Sequence, residues 1–497
     1  MSLNAGASTY DETTTFVRRD VWTLLADDPW DPVTVAYAQA VAAMQARPAT
    51  DPTSWTYQSA IHGAYAAPPP GARWNECQHQ SWYFLSWHRM YLYYFERIAR
   101  AAVVSAYGPS DFALPYWNYD QPFPANTLPR PFREPTLPDG SANPLFLPPP
   151  QRRSDIVNGF QLSPLVTSSS AAMAMTNFIG PPGAGFGGGR RPPAQFGGSV
   201  GGLEQTPHNG IHVQVGGVGS GQCQGGLMID PFCAALDPIF WLHHANVDRL
   251  WNQWLALGDG RANPSDAAWL DQPFTFHDET GAAVTLTGAQ VVDSAAQLHY
   301  RYDTEPSVPE LAISMSGGPT PPHASEPPEL VAATQRPLEL TGSARSVELA
   351  APASTRSLLA SEDVTTGARA VYLNVEDIEA ERNPGIVYGV FIDMPSDDPA
   401  ADHARYHVGN IALFGIEAMN DPDATHGGVP GFRHTFDITG VVGELSEAGE
   451  WDPNSIRVTF EPIPLIPPPG EEGRMGAVAE EADGPPVRIG RVSLFVG

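Results

Sequence analysis

The sequence is poor in cysteine and in charged residues. Only three of its 497 residues are cysteine, too few for the disulfide framework that stabilises small secreted domains. Cys223 and Cys233 can pair, but free thiols are expected just as readily in a reducing compartment. Charged residues make up 16% of the chain, with a net charge of −28. Because such a surface repels phosphate groups, the composition argues against nucleic acid and anionic membranes as partners.

Long apolar runs are also missing. No stretch reaches the length of an apolar transmembrane span, and residues 1–16 show no basic segment followed by an apolar core. The sequence therefore predicts a protein without a membrane anchor or signal peptide, located in the cytoplasm, with secretion by another route left open. Hydrophobic residues still make up 42% of the chain, enough for a large core. The length predicts two or three domains, and a homo-oligomer stays open.

Periodicity divides the chain further. Helical spacing of apolar residues recurs in four stretches: 33–46, 54–65, 81–102 and 206–257. Between them, residues 121–202 are rich in proline, glycine and serine and have little periodicity. Long loops of this kind inside a domain are often functional. The first part of the chain is therefore predicted to be mainly helical, with one long irregular excursion.

The pattern changes after a proline-rich segment. Residues 306–330 are rich in proline, serine and glutamate, which favours a linker. Short alternating runs of β-branched and aromatic residues then follow to the C-terminus. Several strands at this spacing predict an antiparallel sandwich or a barrel-like domain. We predict a mainly α domain over residues 1–305, the linker over 306–330, and an all-β domain over 331–497.

The 14 histidines are unevenly distributed. Two groups of three lie in the helical part of the chain: His62, His79 and His88, and then His208, His212 and His244. The pair at 208 and 212 follows Thr206-Pro207, a favourable helix start with threonine as N-cap and proline at the first helical position. Positions four apart share one helix face, so both imidazoles can bind one metal ion.

His88 and His244 lie among aromatic residues with helical spacing, His62 lies on the helical stretch before His88, and His79 is expected on the loop between them. Asp237 and Pro238 can open a helix that carries His244, and Asp248 one turn later could orient a neighbouring ligand. A single histidine on such a face is usually a core or surface residue, but two groups of three are not explained by core filling. Imidazole suits zinc, copper, iron and nickel. No HExxH motif is present, and two all-histidine groups favour a pair of copper ions.

Two segments resemble the signatures of a known family. Residues 79–96, HQSWYFLSWHRMYLYYFE, resemble the copper-A signature of tyrosinases and polyphenol oxidases, and residues 237–248, DPIFWLHHANVD, resemble the copper-B signature. In the second segment the matching histidine is His244, and His243 is expected to be a neighbour with an outer-sphere or packing role. The resemblance implies a four-helix bundle around a type-3 dicopper centre. It implies three ligands for each ion: His62, His79 and His88 for copper A, and His208, His212 and His244 for copper B.

Further features fit this resemblance. Cys77 and His79 are similar to the Cys-x-His of fungal tyrosinases and molluscan haemocyanins, in which the two side chains form a thioether; the alternative is a small buried cysteine. Residues 300–302, YRY, resemble the motif that ends the catalytic domain and pairs with an N-terminal arginine, here Arg18 or Arg19. The C-terminal strands are similar to the β domain of plant and some bacterial polyphenol oxidases. The chain thus resembles a bacterial member with a plant-like C-terminal domain.

The resemblance implies that the copper pair uses O2 to hydroxylate phenols at the ortho carbon and to oxidise o-diphenols to o-quinones. Glu204 and Asn209 match positions proposed to hold a water that acts as a base, although Glu204 could also be a solvated loop residue. The bulky gate of plant catechol oxidases falls on Pro231 by spacing from Asp237, or on Phe232 after a one-residue shift. A small residue there leaves copper A open, so monophenols are predicted to be accepted.

The β domain of this family often covers the copper pocket. The resemblance therefore implies latency until the domain is moved or cleaved, with Phe432 as a candidate plug; the alternative is an inert docking module. A haemocyanin-like O2 carrier is the competing function, against which stand the single copy of the unit and the Glu204/Asn209 pair. A catechol oxidase or an o-aminophenol oxidase without monophenolase activity also stays open.

Overall fold

The chain builds two hydrophobic cores, one mainly helical and one between β-sheets. The computed structural model describes the following residues: 14–106, 108–180, 185–196, 198–218, 222–223, 225–305, 328–395, 403–419, 432–471 and 486–497. Most of the segment expected to be a linker, 306–330, lies outside the described residues. We name the part up to residue 305 the helical unit and the part from residue 328 the β-rich unit.

The helical unit is organised around four longer helices that carry or face the site. Its α-helices are α1 Val21–Leu24, α2 Pro32–Gln45, α3 Trp55–His62, α4 Phe84–Ser105, α5 Ser154–Val157, α6 Pro164–Thr167, α7 Ser170–Ala174, α8 Gly210–Gly216, α9 Ile239–Ala256, α10 Ala267–Leu270 and α11 Ser294–Leu298. Short 3-10 turns occupy Arg130–Phe132, Ala234–Leu236 and Gly288–Gln290. Helix α4 packs against both α2 and α9, so the predicted helical core is confirmed.

The helix starts follow ordinary capping chemistry. Asp31 accepts a hydrogen bond from Val33 N, with Pro32 at the first position of α2. Ser54 accepts one from Tyr57 N at the start of α3. Helix α9 begins after Asp237, whose carboxylate accepts from Ile239 N at 3.0 Å. These satisfied N–H groups fix where α2, α3 and α9 begin, and hence where the site residues on α3 and α9 lie.

The start predicted at Thr206-Pro207 is irregular. Residues Glu204–Asn209 form a widened helical turn that leads into α8. Within it, Thr206 has extended backbone angles (φ −146°, ψ 122°), as an N-cap residue does. Its hydroxyl, however, is buried without a hydrogen-bond partner among the described residues. The prediction of a threonine side-chain cap was therefore wrong, although the backbone does turn into a helix there.

Two small sheets complete the helical unit. Strand β1, Phe16–Arg18, pairs in parallel with β4, Tyr300–Tyr302, so the two ends of the unit meet. Strands β2, Pro273–His277, and β3, Ala283–Thr287, form an antiparallel hairpin. Because β1 and β4 bring residue 18 to residue 302, the N-terminal segment is part of the same core as the site.

The β-rich unit contains two antiparallel sheets. Its strands are β5 Glu329–Ala333, β6 Leu338–Leu340, β7 Arg345–Leu349, β8 Val371–Glu379, β9 Tyr388–Ile392, β10 His407–Ile411, β11 Phe432–Asp437, β12 Ile456–Pro462 and β13 Val487–Val496. Its helices are α12 Ala353–Leu359, α13 Glu362–Thr365, α14 His403–Tyr406, α15 Ile416–Met419 and α16 Thr439–Glu447. One sheet has the order β10-β9-β12-β7; the other has the order β11-β8-β13-β5, with β6 also pairing β13. The expected β domain is confirmed as a pair of open sheets, not a closed barrel.

The two units are joined by direct hydrogen bonds. Gln161 and Ile466 exchange backbone hydrogen bonds of 2.7 and 2.9 Å, which is a one-residue β-bridge between the units. Asn410 Nδ2 donates to Leu165 O at 2.6 Å. The β-rich unit is thereby held against the loops that surround the site. Among the described residues, no helix has the length and apolar character needed to cross a bilayer.

Candidate metal centre

Two clusters of buried side chains lie side by side in the helical unit. Within each cluster, the candidate ligand atoms all lie within 4.8 Å of one another. We name the clusters site A and site B: His62, Cys77, His79 and His88 form site A, and His208, His212, His243 and His244 form site B. The structure thus brings the predicted ligands together in two sets of three, each set accompanied by one further residue.

Site A is built by α3, α4 and the loop between them. His62 is the last residue of α3, His88 lies one turn into α4, and His79 lies on the connecting loop. Site B is built by the irregular turn, α8 and α9. The sites face each other closely, since the His88 and His244 rings stack with centroids 4.3 Å apart. Metal ions held by the two sites would therefore be neighbours.

Four imidazoles are oriented by oxygen atoms at Nδ1. The contacts run from His62 to Pro231 O (2.8 Å), from His88 to Phe84 O (2.8 Å), from His208 to Asn209 Oδ1 (2.9 Å) and from His212 to Met228 O (2.6 Å). Since each of these oxygens is an acceptor, Nδ1 carries the proton and donates it. Nε2 is left with a free lone pair, which is the tautomer a metal ligand needs.

Several other ring nitrogens lack a hydrogen-bond partner among the described residues. Nε2 of His62, His208 and His212, and both ring nitrogens of His244, are buried without a hydrogen-bond partner among the described residues. Burial lowers the pKa of His62 to about 4 and that of His208 to about 3, so these rings are neutral. Unpaired buried acceptors are costly unless a ligand satisfies them. Neutral imidazoles in two adjacent groups fit a pair of copper ions.

Cys77 is the sulfur member of site A. It is a free, fully buried cysteine, and its Sγ lies 3.4 Å from Nδ1 and 3.8 Å from Nε2 of His79. The sulfur therefore lies in contact with the His79 ring, at similar distances from its two nitrogens. Sγ also lies 3.4 Å from His88 Nε2. The predicted thioether to His79 stays a prediction, with its two partners in contact.

His243 is closer to the metal centre than the sequence indicated. Its ring lies 5.2 Å from that of His208 and 4.9 Å from that of His212. Both of its nitrogens are buried and have no hydrogen-bond partner among the described residues. The available signal was the His-His pair on α9, because consecutive residues on a helix point about 100° apart and can both border one cavity. Site B therefore contains a fourth imidazole.

Glu204 and Asn209 lie next to the metal ligands. Both carboxylate oxygens of Glu204 accept from Gln80 N, at 2.8 and 3.0 Å, which ties the turn before α8 to the loop that carries His79. Burial raises the pKa of Glu204 to about 8, although this backbone N–H works against the shift. Glu204 is thus a buried carboxyl that can gain or lose a proton near neutral pH. Asn209 uses its side-chain oxygen to orient His208.

Two phenylalanines cover the sites. Phe414, from the β-rich unit, stacks on His212 at 4.0 Å and also lies 5.5 Å from His79 and 5.7 Å from His208, centroid to centroid. Phe196, from the glycine-rich loop, stacks on His79 at 4.9 Å. Gly415, the residue after Phe414, lies directly against Phe196, because a Cβ on Gly415 (φ +86°) would lie 2.6 Å from the Phe196 ring. An aromatic lid thus closes over both sites.

The residues expected near the entrance have other contacts. Pro231 offers its carbonyl oxygen to His62, and the Phe232 ring packs against Tyr65 with centroids 4.9 Å apart. A gating role for either residue stays a prediction. Phe432 lies in β11 within the core of the β-rich unit, so its choice as the plug was wrong. A phenylalanine in the strand core cannot reach the pocket, and Phe414 lies there instead.

A buried cluster of charges fastens the helices behind the sites. Arg18 Nε donates to Glu96 at 2.8 Å and its Nη1 donates to Tyr302 OH at 2.9 Å, while Arg89 Nε donates to Asp248 at 2.6 Å. The pairing expected between an N-terminal arginine and the YRY motif is therefore present, through Arg18. Asp248 does not orient an imidazole as expected; its oxygens accept from arginines and tyrosines. Its partners are distant in sequence, so spacing alone could not reveal them.

The remaining cysteines are paired. Cys223 and Cys233 form a disulfide with Cα atoms 5.5 Å apart, across a sequence separation of 10 residues. The sequence left this pairing open. The bridge lies in the segment between α8 and α9, close to the carbonyl groups that orient His62 and His212.

Family models match most of the chain. The common central domain of tyrosinase matches residues 52–164 and 188–257, and the polyphenol oxidase middle domain matches residues 263–313. A domain of unknown function matches residues 327–496. The copper-binding helices therefore fall within the tyrosinase match, and the β-rich unit within a family whose role is open.

Two relatives and two solved structures extend this comparison. Tyrosinase HcTyr1 of Hahella sp. (strain CCB-MM4) is 33% identical over 458 residues, which is 86% of this chain and 92% of that one. The latent form of chloroplastic polyphenol oxidase from Prunus armeniaca is 32% identical over 383 residues, which is 72% of this chain and 60% of that one. Latent aurone synthase covers 98% of this chain and 90% of its own at a TM-score of 0.63 and 20% identity. Latent apple tyrosinase covers 100% of this chain and 98% of its own, at a TM-score of 0.60 and 22% identity.

The two structures share the fold of this chain, including the β-rich unit. The sequence relationship to the Hahella tyrosinase covers 86% of this chain and therefore includes parts of both units. Together with the unpaired, neutral imidazoles, it identifies the two sites as a type-3 copper pair. The chain belongs to the tyrosinase and polyphenol oxidase family of copper enzymes, which oxidise phenols with O2.

Proposed function

We propose that this enzyme hydroxylates monophenols to o-diphenols and oxidises these to o-quinones, and that it is latent while the β-rich unit covers the site. When bound, the copper pair supplies the redox chemistry with O2. The protein supplies the orientation of the ligands, the exclusion of water and the handling of the phenolic proton. The substrates are small phenols that fit a pocket walled by imidazole and phenylalanine rings.

The observation that carries monophenol hydroxylation is the buried carboxyl of Glu204. A phenol must lose its hydroxyl proton before it is hydroxylated. The best general base for this step is a group whose pKa lies near the working pH. Burial places Glu204 in that range, with a pKa of about 8. The carboxyl lies between the loop of site A and the turn of site B, so it borders both.

Glu204→Gln tests this role with little change in shape. The amide oxygen of glutamine still accepts from Gln80 N, so the loop contact is kept while proton acceptance is lost. In the activated enzyme, the ratio of monophenol to catechol turnover should fall about 100-fold or more, the usual contribution of a general base. Copper content measured on the same samples shows that the sites are intact. An equal loss on both substrates contradicts the base assignment.

The observation that carries latency is the position of Phe414. This ring is 2% exposed and lies against His79, His208 and His212, where a phenol ring would have to approach the copper pair. Ring stacking and burial both favour the closed arrangement. A protease that removes the β-rich unit should therefore raise the turnover of small catechols. On this proposal, aromatic contacts alone keep the enzyme latent, and no covalent block is needed.

A further inference from the structure

The segment between α8 and α9 touches both copper sites. Met228 O lies 2.6 Å from Nδ1 of His212, and Pro231 O lies 2.8 Å from Nδ1 of His62. One ligand of each site is thus oriented by carbonyl groups only three residues apart. We name Cys223 together with residues 225–233 the carbonyl loop. No other described segment of this length supplies an Nδ1 acceptor to both sites.

The carbonyl loop is held tightly at its C-terminal end. Asp230 accepts from Phe232 N through its side chain at 2.9 Å and from Cys233 N through its backbone at 2.9 Å. Tyr65 OH donates to Asp230 at 2.7 Å. Gly63 lies directly against the loop, since a Cβ there would be 2.6 Å from Pro231 O. The turn that positions the proline carbonyl therefore runs straight into Cys233.

Among the described residues, two backbone hydrogen bonds hold the N-terminal end: Gly226 N donates to Val218 O at 3.1 Å, and Leu227 N donates to Gln151 O at 2.8 Å. Cys223 itself adopts a left-handed backbone (φ +62°). The disulfide to Cys233 is the covalent link that closes the loop at this end. A closed loop has fewer alternative conformations than an open one, so the crosslink limits how far the two carbonyl oxygens can move.

We propose that the Cys223–Cys233 disulfide is a positioning device for the copper pair, and that its reduction loosens one ligand of each site. Reduction by a dithiol proceeds by thiol–disulfide exchange: the S–S bond breaks, two thiols form on the protein, and the dithiol is oxidised to a cyclic disulfide. The freed loop can then withdraw its carbonyl oxygens from His62 and His212. Those rings would lose the tautomer and orientation that copper requires.

His88 provides an internal control. Its Nδ1 is held by Phe84 O, four residues earlier in α4, and owes nothing to the carbonyl loop. The proposal therefore predicts a selective effect. After reduction of the copper-free protein, ¹⁵N spectra of the imidazoles should show mixed tautomers for His62 and His212 and an unchanged Nδ1–H tautomer for His88.

Copper retention gives the second measurement. Oxidised and dithiol-reduced protein, freed of reductant and loaded anaerobically with Cu(I), are challenged with a Cu(I) chelator. Loss of an orienting contact usually costs 10- to 100-fold in metal affinity, so copper should leave the reduced protein at least about 10-fold faster. The Cys223→Ser/Cys233→Ser double variant should behave like the reduced protein and should not respond to the dithiol.

Val103→Ala is the matched control for a general loss of stability. Val103 is fully buried in α4, 15 residues beyond His88 and thus roughly 22 Å away along the helix. If this variant releases copper as fast as the double variant per folded chain, or if reduced and oxidised wild type release it equally, the proposal is overturned. The inference rests on the dicopper assignment. Oxidised protein that takes up no copper would overturn both that assignment and the loop proposal. Two copper equivalents held equally by the oxidised and the reduced protein would overturn the loop proposal alone.

Discussion

Phe414 of the β-rich unit stacks on His212 of site B, with ring centroids 4.0 Å apart and ring planes 27° apart. The contact joins a residue that follows strand β10 to a copper ligand on α8. A substrate ring and Phe414 cannot occupy this place together.

Phe414→Ala should activate the uncleaved chain. Loss of a buried phenylalanine costs about 3 to 5 kcal/mol, which weakens the docking of the β-rich unit and opens the pocket. Catechol turnover of the uncleaved variant should exceed that of uncleaved wild type by at least about tenfold. After proteolytic removal of the β-rich unit, variant and wild type should be equally active. A variant as inactive as uncleaved wild type would show that Phe414 does not block the site.

Glu417 should make latency depend on pH. Its side chain lies on α15, just after Phe414, with Asp230 of the helical unit and Arg382 nearby. Burial, aided by Asp230, raises the pKa of Glu417 from 4.5 to about 7, while Asn383 N and Arg382 oppose the shift. The docked form therefore binds the proton more tightly than the open form. The proton on Glu417 stabilises docking fully below about pH 4.5. This stabilisation is lost as the pH rises through about 7, and it amounts to at most roughly 3 kcal/mol.

The measurement for Glu417 is the activity of uncleaved relative to cleaved enzyme between pH 5 and 8, a ratio in which the pH dependence of the chemistry cancels. This ratio should rise with pH in wild type. In Glu417→Gln it should be low and flat, because the amide stays neutral. Glu348→Gln, at an exposed position of β7, is the matched control and should follow wild type. A pH-dependent ratio that persists in Glu417→Gln contradicts this role.

Asp248→Asn should destabilise the helical unit. Burial disfavours the charge of Asp248, but Arg89 and Arg18 together hold its pKa below the usual range. Asparagine would leave two buried guanidinium groups short of a counter-charge, which costs about 3 to 5 kcal/mol. Denaturant unfolding of the copper-free protein measures the loss. Glu379→Gln breaks the surface pair with Arg488, in which both side chains are 52% exposed, and should cost less than about 1 kcal/mol.

The chain should resist modification by its own product. It contains no lysine, since its 27 basic residues are all arginine, and its cysteines are either buried or in a disulfide. An amine adds to an o-quinone with formation of a C–N bond, whereas the permanently charged guanidinium is a poor nucleophile. Intact-mass spectra after turnover of a catechol should show no adduct beyond the N-terminal amine. Arg336→Lys, at an exposed turn, should gain one; multiple adducts on wild type would contradict this.

The sequence was informative where a pattern is local. Helical periodicity located α2, α3 and α4 to within a few residues, since an amphipathic face repeats every 3.6 residues. The copper signatures located the histidines because their spacing follows from the helices that carry them. For His243 the sequence predicted only an outer-sphere or packing role, since a signature that fixes one histidine says nothing about its neighbour.

Contacts that depend on the docking of distant segments could not be read in the same way. Phe414 reaches His212 only after the two units have packed together, and nothing around residue 414 distinguishes it from the strand residue Phe432. The carbonyl oxygens of Met228 and Pro231 are backbone atoms, which every residue has, so their role leaves no mark in the sequence. The disulfide was undecided because a sequence separation does not fix a Cα distance.

The cluster around Asp248 also determines the shortest fragment of the chain that keeps the helical unit intact. Arg18 on β1 and Tyr302 on β4 reach this one carboxylate, so the first and last strands of the helical unit are secured at the same point. A truncated form that starts after residue 18 would leave Glu96 and Asp248 without a guanidinium that both of them share. A form that ends soon after residue 305 keeps the cluster whole. A form of the enzyme without the covering β-rich unit should therefore begin before residue 18 and end soon after residue 305.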